Sequence, residues 1–167
     1  MPEFICNTSP LQYLHQLGTL HLLGQLMKKV NVPGAVAQEL DAGRVAGCDV
    51  PDLTRIPWIT LIDPVNAPAL PLAADLGSGE ASVLALALEL SDPVVILDDA
   101  VARRAAQLLG IPLTGTLGVL IDAKRHGLIP AVAPRLAELD RLHFRVSAGT
   151  RLAVLAIAGE VGGSVGR

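Results

Sequence analysis

Val94-Val95-Ile96-Leu97-Asp98-Asp99, continuing into Ala100-Val101-Ala102-Arg103-Arg104-Ala105-Ala106, is the most informative segment of this 167-residue chain. Four consecutive apolar residues, three of them β-branched, stand between Pro93 and a pair of carboxylates. This is the pattern of a short strand covered on both faces, as in a parallel sheet. The acids fall at its C-terminal end. In open α/β sheets ligands bind at that edge, because the loops leaving the strands diverge there and helix N-termini face the gap. Capping the Ala-rich helix that follows accounts for Asp99 alone. A cap explains one acid of the two.

A chain of this length suits one domain, since roughly 150 residues bury about two thirds of their unfolded surface. The expectation is a single domain over 1–160 with a flexible tail at 161–167. Apolar residues make up 51% and charged residues 17%. That balance points to some apolar surface covered by a second subunit, hence a homodimer. No apolar run is long enough for a membrane span, and the N-terminus lacks the layout of a signal peptide, so a cytoplasmic protein with no membrane partner is expected. Cys6 and Cys48 are too few and too isolated for a disulfide scaffold or a zinc site. Residues 1–102 hold 4 basic and 12 acidic groups, and residues 103–167 hold 9 and 4. This asymmetry permits an acidic, cation-binding centre beside a basic strip that tracks phosphates. Aromatics at 2% argue against a base-stacking platform.

Outward from the opening segment, strand and helix signals alternate. Phe4-Ile5-Cys6 ends at the cap cluster Asn7-Thr8-Ser9-Pro10, and Leu11, Leu14, Leu17 and Leu20 then follow a helical spacing that Gly18 divides into two helices, the second covering His21–Met27. Val30–Val32 is a strand, and Pro33 opens a helix over 34–40. The segment 43–76, rich in Gly, Pro and Asp, holds one strand at 59–62 and has the character of a lid or a dimer contact. A helix capped by Ser78 is predicted over 80–90. A strand follows at 111–113, and then helices at 117–126, 134–142 and 151–158, with an edge strand at 143–146 from its alternation. The succession gives an α/β fold with a mostly parallel central sheet.

Glu39 lies at the margin of the face its helix turns to the sheet. Glu80 heads the apolar stripe Val83, Leu84, Ala87 and Leu88, where an unpaired charge is costly. A first-turn acid favoured by the helix dipole accounts for Glu80 equally well. Convergence carries more weight. Asn7 ends one strand, Asp98 and Asp99 end another, and Glu39 and Glu80 come from helices flanking the same sheet edge. Oxygen donors without a His or Cys cluster suit Mg²⁺ or Mn²⁺, and such a site polarises a phosphodiester and acidifies a bound water.

These residues carry a resemblance to PIN-domain proteins, in the DUF3368 branch related to the VapC toxins. The matching pieces run in order through Asn7-Thr8-Ser9-Pro10-Leu11, Val32-Pro33-Gly34-Ala35-Val36 to Glu39-Leu40, Gly79-Glu80-Ala81, Leu97-Asp98-Asp99 with Ala102-Arg103, Gly110-Ile111, Gly115-Thr116-Leu117-Gly118-Val119-Leu120, Ala123-Lys124 and Gly127-Leu128-Ile129. The resemblance implies a three-layer α/β/α PIN-like fold, an RNA-cleaving activity dependent on Mg²⁺ or Mn²⁺, a dimer and, in the VapC relatives, an antitoxin partner. Carried over by position, Glu39, Glu80, Asp98 and Asp99 are the catalytic candidates. Asn7, Glu80, Asp98 and Asp99 are the metal candidates. Asn7 departs from the PIN pattern, which has an acid there; an amide oxygen ligates a cation without contributing charge. Thr8, Ser9, Arg104, Thr116, Lys124 and Arg125 are candidates for contact with substrate, although each type also serves as a turn, cap or solvated-face residue. Arg103, four residues after Asp99, has the spacing of a helical ion pair. His15, His21, His126 and His143 show no metal spacing.

Two further readings follow from the same residues. Asn7 and the low overall basicity fit a PIN-fold binding or assembly module without catalysis. A phosphate-transfer domain fits less well, since no Gly-rich phosphate loop is present.

Overall fold

In a computed structural model of the protein, residues 1–66 and 75–160 are described. The 67–74 part of the expected lid segment, and the expected tail at 161–167, lie outside the described residues. The chain divides into two compact units, Met1–Thr116 and Leu117–Arg167.

The first unit holds β1 (Glu3–Cys6), α1 (Thr8–Gln16), α2 (His21–Met27), β2 (Val30–Val32), α3 (Gly34–Val45), a 3-10 turn (Leu53–Arg55), β3 (Ile59–Leu61), α4 (Ser78–Glu89), β4 (Pro93–Ile96), α5 (Ala100–Leu108) and β5 (Leu113–Thr114). The sheet has the order β3-β2-β1-β4-β5, and every pairing is parallel. The predicted α/β class and parallel sheet are what the chain forms. β1 lies at the centre with β4 beside it, in the register Glu3↔Pro93 to Cys6↔Ile96. From β1 the chain moves outward to β2, and from β4 it moves the other way to β5. The gap between the C-terminal ends of β1 and β4 is therefore the switch point at which α/β sheets present their ligand crevice.

Burial explains why the short strands hold. Ile5, Cys6, Val30, Val32, Val95 and Ile96 are fully buried, as a sheet covered on both faces requires. Leu11 and Leu14 of α1, Leu40 of α3 and Leu84 and Leu86 of α4 complete this core. α4 buries Gly79, Ala81 and the run Val83–Ala87, so its middle turns are covered all round while Ser78, Leu88 and Glu89 stay exposed. Its amino-terminal cap is Gly77, not Ser78. Ser78 is already helical, and its hydroxyl faces a carboxylate described below. Asp63 accepts from the Gly34 backbone N–H at 2.7 Å and anchors the start of α3.

The second unit contains α6 (Thr116–Arg125), whose first residue closes the first unit, then α7 (Ala133–Arg141) and α8 (Ala148–Ile157). The edge strand expected over 143–146 is absent. His143 takes a left-handed backbone with φ of 64°, and the Phe144 N–H donates to the Leu139 carbonyl at 3.0 Å. This is the helix-terminating geometry that Gly110, φ 69°, supplies after α5. Alternating side chains conceal it because a histidine stands where glycine is usual. No helix among the described residues is long and apolar enough to cross a membrane.

Two glycines test the packing of the first unit in opposite directions. A Cβ on Gly24 would sit 2.6 Å from Trp58 Nε1 and 2.7 Å from its Cε2. The nearest atoms to a Cβ on Gly43 lie at an ordinary 3.7 Å. Gly24→Ala is expected to lower the unfolding free energy by about 1–3 kcal/mol, because a rigid indole must move. Gly43→Ala should raise it by about 0.5–1 kcal/mol through helix propensity. Urea denaturation of both variants checks the pair, and equal effects would contradict the packing described.

Candidate functional site

The loops leaving β1 and β4 carry the chemistry. Asn7 occupies the cap position of α1, where an asparagine oxygen ordinarily accepts from the first turn. Here it makes no such bond. Its Nδ2 instead donates to Glu80 Oε1 at 3.3 Å, across 73 residues of chain. Asn7 is 1% exposed, and its Oδ1 is buried with no hydrogen-bond partner among the described residues. Leaving a buried acceptor unsatisfied costs about 1–3 kcal/mol. Such groups are rare in folded proteins.

Thr8, one residue on, holds the other glutamate. Its hydroxyl donates to Glu39 Oε2. Glu39 Oε1 accepts from the Gly79 N–H at 2.9 Å and from the Ser78 hydroxyl at 3.3 Å. Glu39 thus binds the start of α4, and the backbone there must come close. A Cβ on Gly79 would meet Glu39 Oε2 at 2.6 Å, and one on Gly77 would collide with the Glu80 carboxylate. The glycines flanking Ser78 are needed for this approach. Asn7 and Thr8 between them gather Glu80 and Glu39 to the end of β1.

On the neighbouring strand, Asp98 is gripped by Thr116. The backbone N–H donates to Oδ1 at 2.8 Å and the hydroxyl to Oδ2 at 2.6 Å. Thr116 is fully buried. Arg103 donates from Nη1 to the Leu97 carbonyl at 2.8 Å. A Cβ on Gly115 would strike both Arg103 Nη1 and Asp98 Oδ1, which places the guanidinium and the carboxylate side by side. Burial pushes the Asp98 carboxyl above its ordinary pKa, against the opposing pull of the Thr116 hydrogen bonds and the Arg103 charge. The Cys6 thiol, which contacts the Asn7 carbonyl, is pushed up by burial and by the charge of Asp98. It stays a thiol at neutral pH.

The remaining candidates separate. Asp99 is exposed and caps α5, its Oδ2 accepting from the Ala102 N–H at 2.9 Å. The ion pair expected between it and Arg103 is not formed; Arg103 turns to the Leu97 carbonyl instead, near enough to Asp98 for its charge to act on that carboxyl. Among the described residues no three His, Cys, Asp or Glu side chains are grouped to hold a metal ion. The expected set of Asn7, Glu80, Asp98 and Asp99 is therefore not preassembled: Asn7 and Glu80 touch, Asp98 is held by Thr116, and Asp99 serves its helix. Ser9 sits half-buried in the first turn of α1 without a bond to any of the carboxylates. Arg104 is exposed and lines a separate cavity of about 200 Å³ with Asp75, Val101 and Leu108. Arg125 is exposed, 3.9 Å from Asp122. Lys124, expected to be free for phosphate, donates to the Ala158 carbonyl at 2.6 Å and to Glu160 Oε2 at 3.0 Å. Its ammonium fastens the second unit. Ser78 and Arg103 are the contributors that sequence reasoning assigned to other tasks, a cap and a helical ion pair. Only their tertiary partners reveal the difference.

Because its carboxyl is raised in the folded protein, Asp98 favours folding most when protonated. That contribution is complete below the ordinary carboxylate pKa and is lost as pH rises through the raised value. The stability of Asp98→Asn relative to the parent should therefore be greatest at neutral pH and decline on acidification through the carboxylate range. Paired urea titrations across that range check it, and a difference independent of pH would contradict the burial of the charge.

No curated protein matches the chain. The family model DUF3368, a PIN domain, matches residues 3–160 and so takes in both units and every residue placed above. With a parallel sheet whose switch point carries Asn7 and Asp98, and with that match over nearly the full length, this chain belongs to the DUF3368 family of PIN-domain proteins.

Proposed function

We propose that this chain is a ribonuclease that hydrolyses RNA phosphodiester bonds with the help of Mg²⁺ or Mn²⁺. The PIN domain is a nuclease-type fold, and the family as a whole works with divalent ions on nucleic acid. The single observation that carries the reading onto these residues is the buried, unpartnered Asn7 Oδ1 beside the Glu80 carboxylate. Amide and carboxylate oxygens without a thiolate are the donor set of a hard cation. A bound ion supplies Lewis-acid polarisation of the phosphodiester and an acidified water.

In this reading Asn7 and Glu80 are the ligands contributed by β1 and α4. Glu39 positions them, since it holds the Ser78-Gly79 turn from which Glu80 projects. Asp98 takes a proton more readily than an ordinary carboxylate, which suits a general base. Thr116 fixes its orientation, and Arg103 limits how far its pKa rises. Thr8 orients Glu39 and does not need to touch substrate. The reading includes the toxin role of the VapC relatives, with an antitoxin partner. It also includes a homodimer, for which α5 leaves Val101 48% and Leu108 65% exposed. Sedimentation of the parent and of Leu108→Arg tests that face, where loss of a dimer is expected.

One observation favours a second reading, a PIN-fold module that binds without catalysis. The neutral Asn7 is hydrogen-bonded to Glu80 and so relieves the site of charge without any ion. A Mn²⁺ titration combined with an RNA cleavage assay separates the two. The nuclease binds Mn²⁺ and cleaves. Glu80→Gln then loses at least about tenfold in affinity and most of the cleavage, whereas Asn7→Asp gains in both, because a charged oxygen replaces a neutral one. An RNA complex that forms without Mn²⁺, with no cleavage and no response to either substitution, would establish the module.

A further inference from the structure

At the opposite, N-terminal edge of the sheet, within the first unit, a cavity of about 220 Å³ is bounded by residues 1–4 together with Met27, Lys28, Lys29 and Asn31. Two features set it apart from an incidental hollow. Asn31 is the middle residue of β2, between Val30 and Val32, which are fully buried, and is itself 8% exposed. Its side-chain amide has no hydrogen-bond partner among the described residues. Although the residue is nine-tenths buried, its amide atoms still touch solvent, so the group is open on the wall of the cavity and free to take a partner there. The second feature is Lys28, whose backbone is held at φ 66°, ψ −41° while the Lys29 N–H donates to the Met27 carbonyl at 2.7 Å. This is the rare, strained form of three-residue turn, built on a lysine where glycine would relax it. It brings Lys28 and Lys29, both exposed and neither in an ion pair among the described residues, to the wall of the cavity. Glu3, the acid there, is turned aside: its Oε2 accepts from the Ser91 N–H at 3.2 Å and from the Ser91 hydroxyl at 3.3 Å.

The cavity thus combines Phe4 and Met27 as apolar lining, one amide with donor and acceptor in a single plane, and two unpaired cations. A bare phosphate would use only the lysines. A fatty or amino acid would leave the amide half satisfied. A flat heterocycle with a donor and an acceptor on one edge, joined to a phosphate, uses all three, and an asparagine amide pairs best with the edge of adenine. The volume lies below the range of drug-sized pockets and admits one base, not a folded oligonucleotide. We infer that this cavity is an adenine-nucleotide site, the base edge on Asn31 and the phosphate between Lys28 and Lys29. The nucleotide is either free or the terminal residue of an RNA strand, and the chemistry of recognition is the same for both.

Trp58, the only tryptophan, is well placed to report. Its carbonyl accepts from the Val30 N–H at 3.0 Å and its indole lies against Gly24 of α2, the helix that leads into the Lys28 turn. The experiment is a fluorescence titration of the Glu80→Gln protein with AMP, CMP, inorganic phosphate and a short RNA ending in adenosine, so that neither cleavage nor the reading of the acidic edge enters. AMP should saturate at millimolar concentration or below, with inorganic phosphate and CMP about tenfold weaker or more. Asn31→Leu, and separately the double variant Lys28→Asn with Lys29→Ser, should each weaken AMP by about tenfold. Asparagine at position 28 tolerates the left-handed backbone, so the double variant stays informative even where Asn31→Leu fails to fold. AMP binding tighter than the RNA identifies the free nucleotide, and RNA binding equal or tighter identifies a strand end. AMP no better than phosphate, or unchanged in the double variant, overturns the inference.

Discussion

The parallel pairing of β1 with β4 is the constraint from which the rest of the first unit follows. With Cys6 beside Ile96, the Asn7 N–H donates to the Ile96 carbonyl at 3.1 Å, and Asn7 stands at the strand end next to the Leu97-Asp98 turn. Because the chain leaves these two strands in opposite directions, nothing of the sheet fills the space above them. Asn7 and Thr8, consecutive residues, then reach different helices: one binds Glu80 of α4, the other Glu39 of α3. Glu39 in turn binds the start of α4. A single turn after β1 thereby fixes both helices to the edge, and each depends on a polar side chain that α1 does not use for its own cap.

Much of this was legible because short-range signals and tertiary demands agree. The runs Phe4-Ile5-Cys6, Val30-Asn31-Val32 and Val94-Val95-Ile96 form strands where their composition places them, and Gly18 divides α1 from α2 through a left-handed turn that the residue type announces. For Glu80 the spacing leaves a first-turn acid and an inward-facing carboxylate equally possible, and only its bond from Asn7 Nδ2 shows where it turns. What escaped lies in contacts that spacing does not encode. His143 ends α7 in a conformation usually assigned to glycine, so 143–146 reads as a strand when it is a terminator. Lys124 occupies a helical position that looks solvated, but its charge is matched by Glu160, whose oxygens also accept from the Val132 and Ala133 N–H groups. Asp99 and Asp98 are indistinguishable in the sequence. One caps a helix and the other is half-enclosed by Thr116 and Arg103, a difference set by which way one peptide turns.

The neutral residue at position 7 changes the electrostatics of the edge more than its small volume suggests. Two carboxylates about 4 Å apart in an intermediate dielectric repel by roughly 4 kcal/mol, so an aspartate facing Glu80 would need a cation merely to keep the turn closed. Asn7 removes that demand. Its Nδ2 supplies a donor that holds Glu80 of α4 to the strand end. The other end of the same amide carries the opposite consequence, since fixing Nδ2 on Glu80 commits Oδ1 to a buried position with no donor to accept from among the described residues. One amide group thus carries both effects, a donor committed to Glu80 and a buried acceptor without a partner among the described residues.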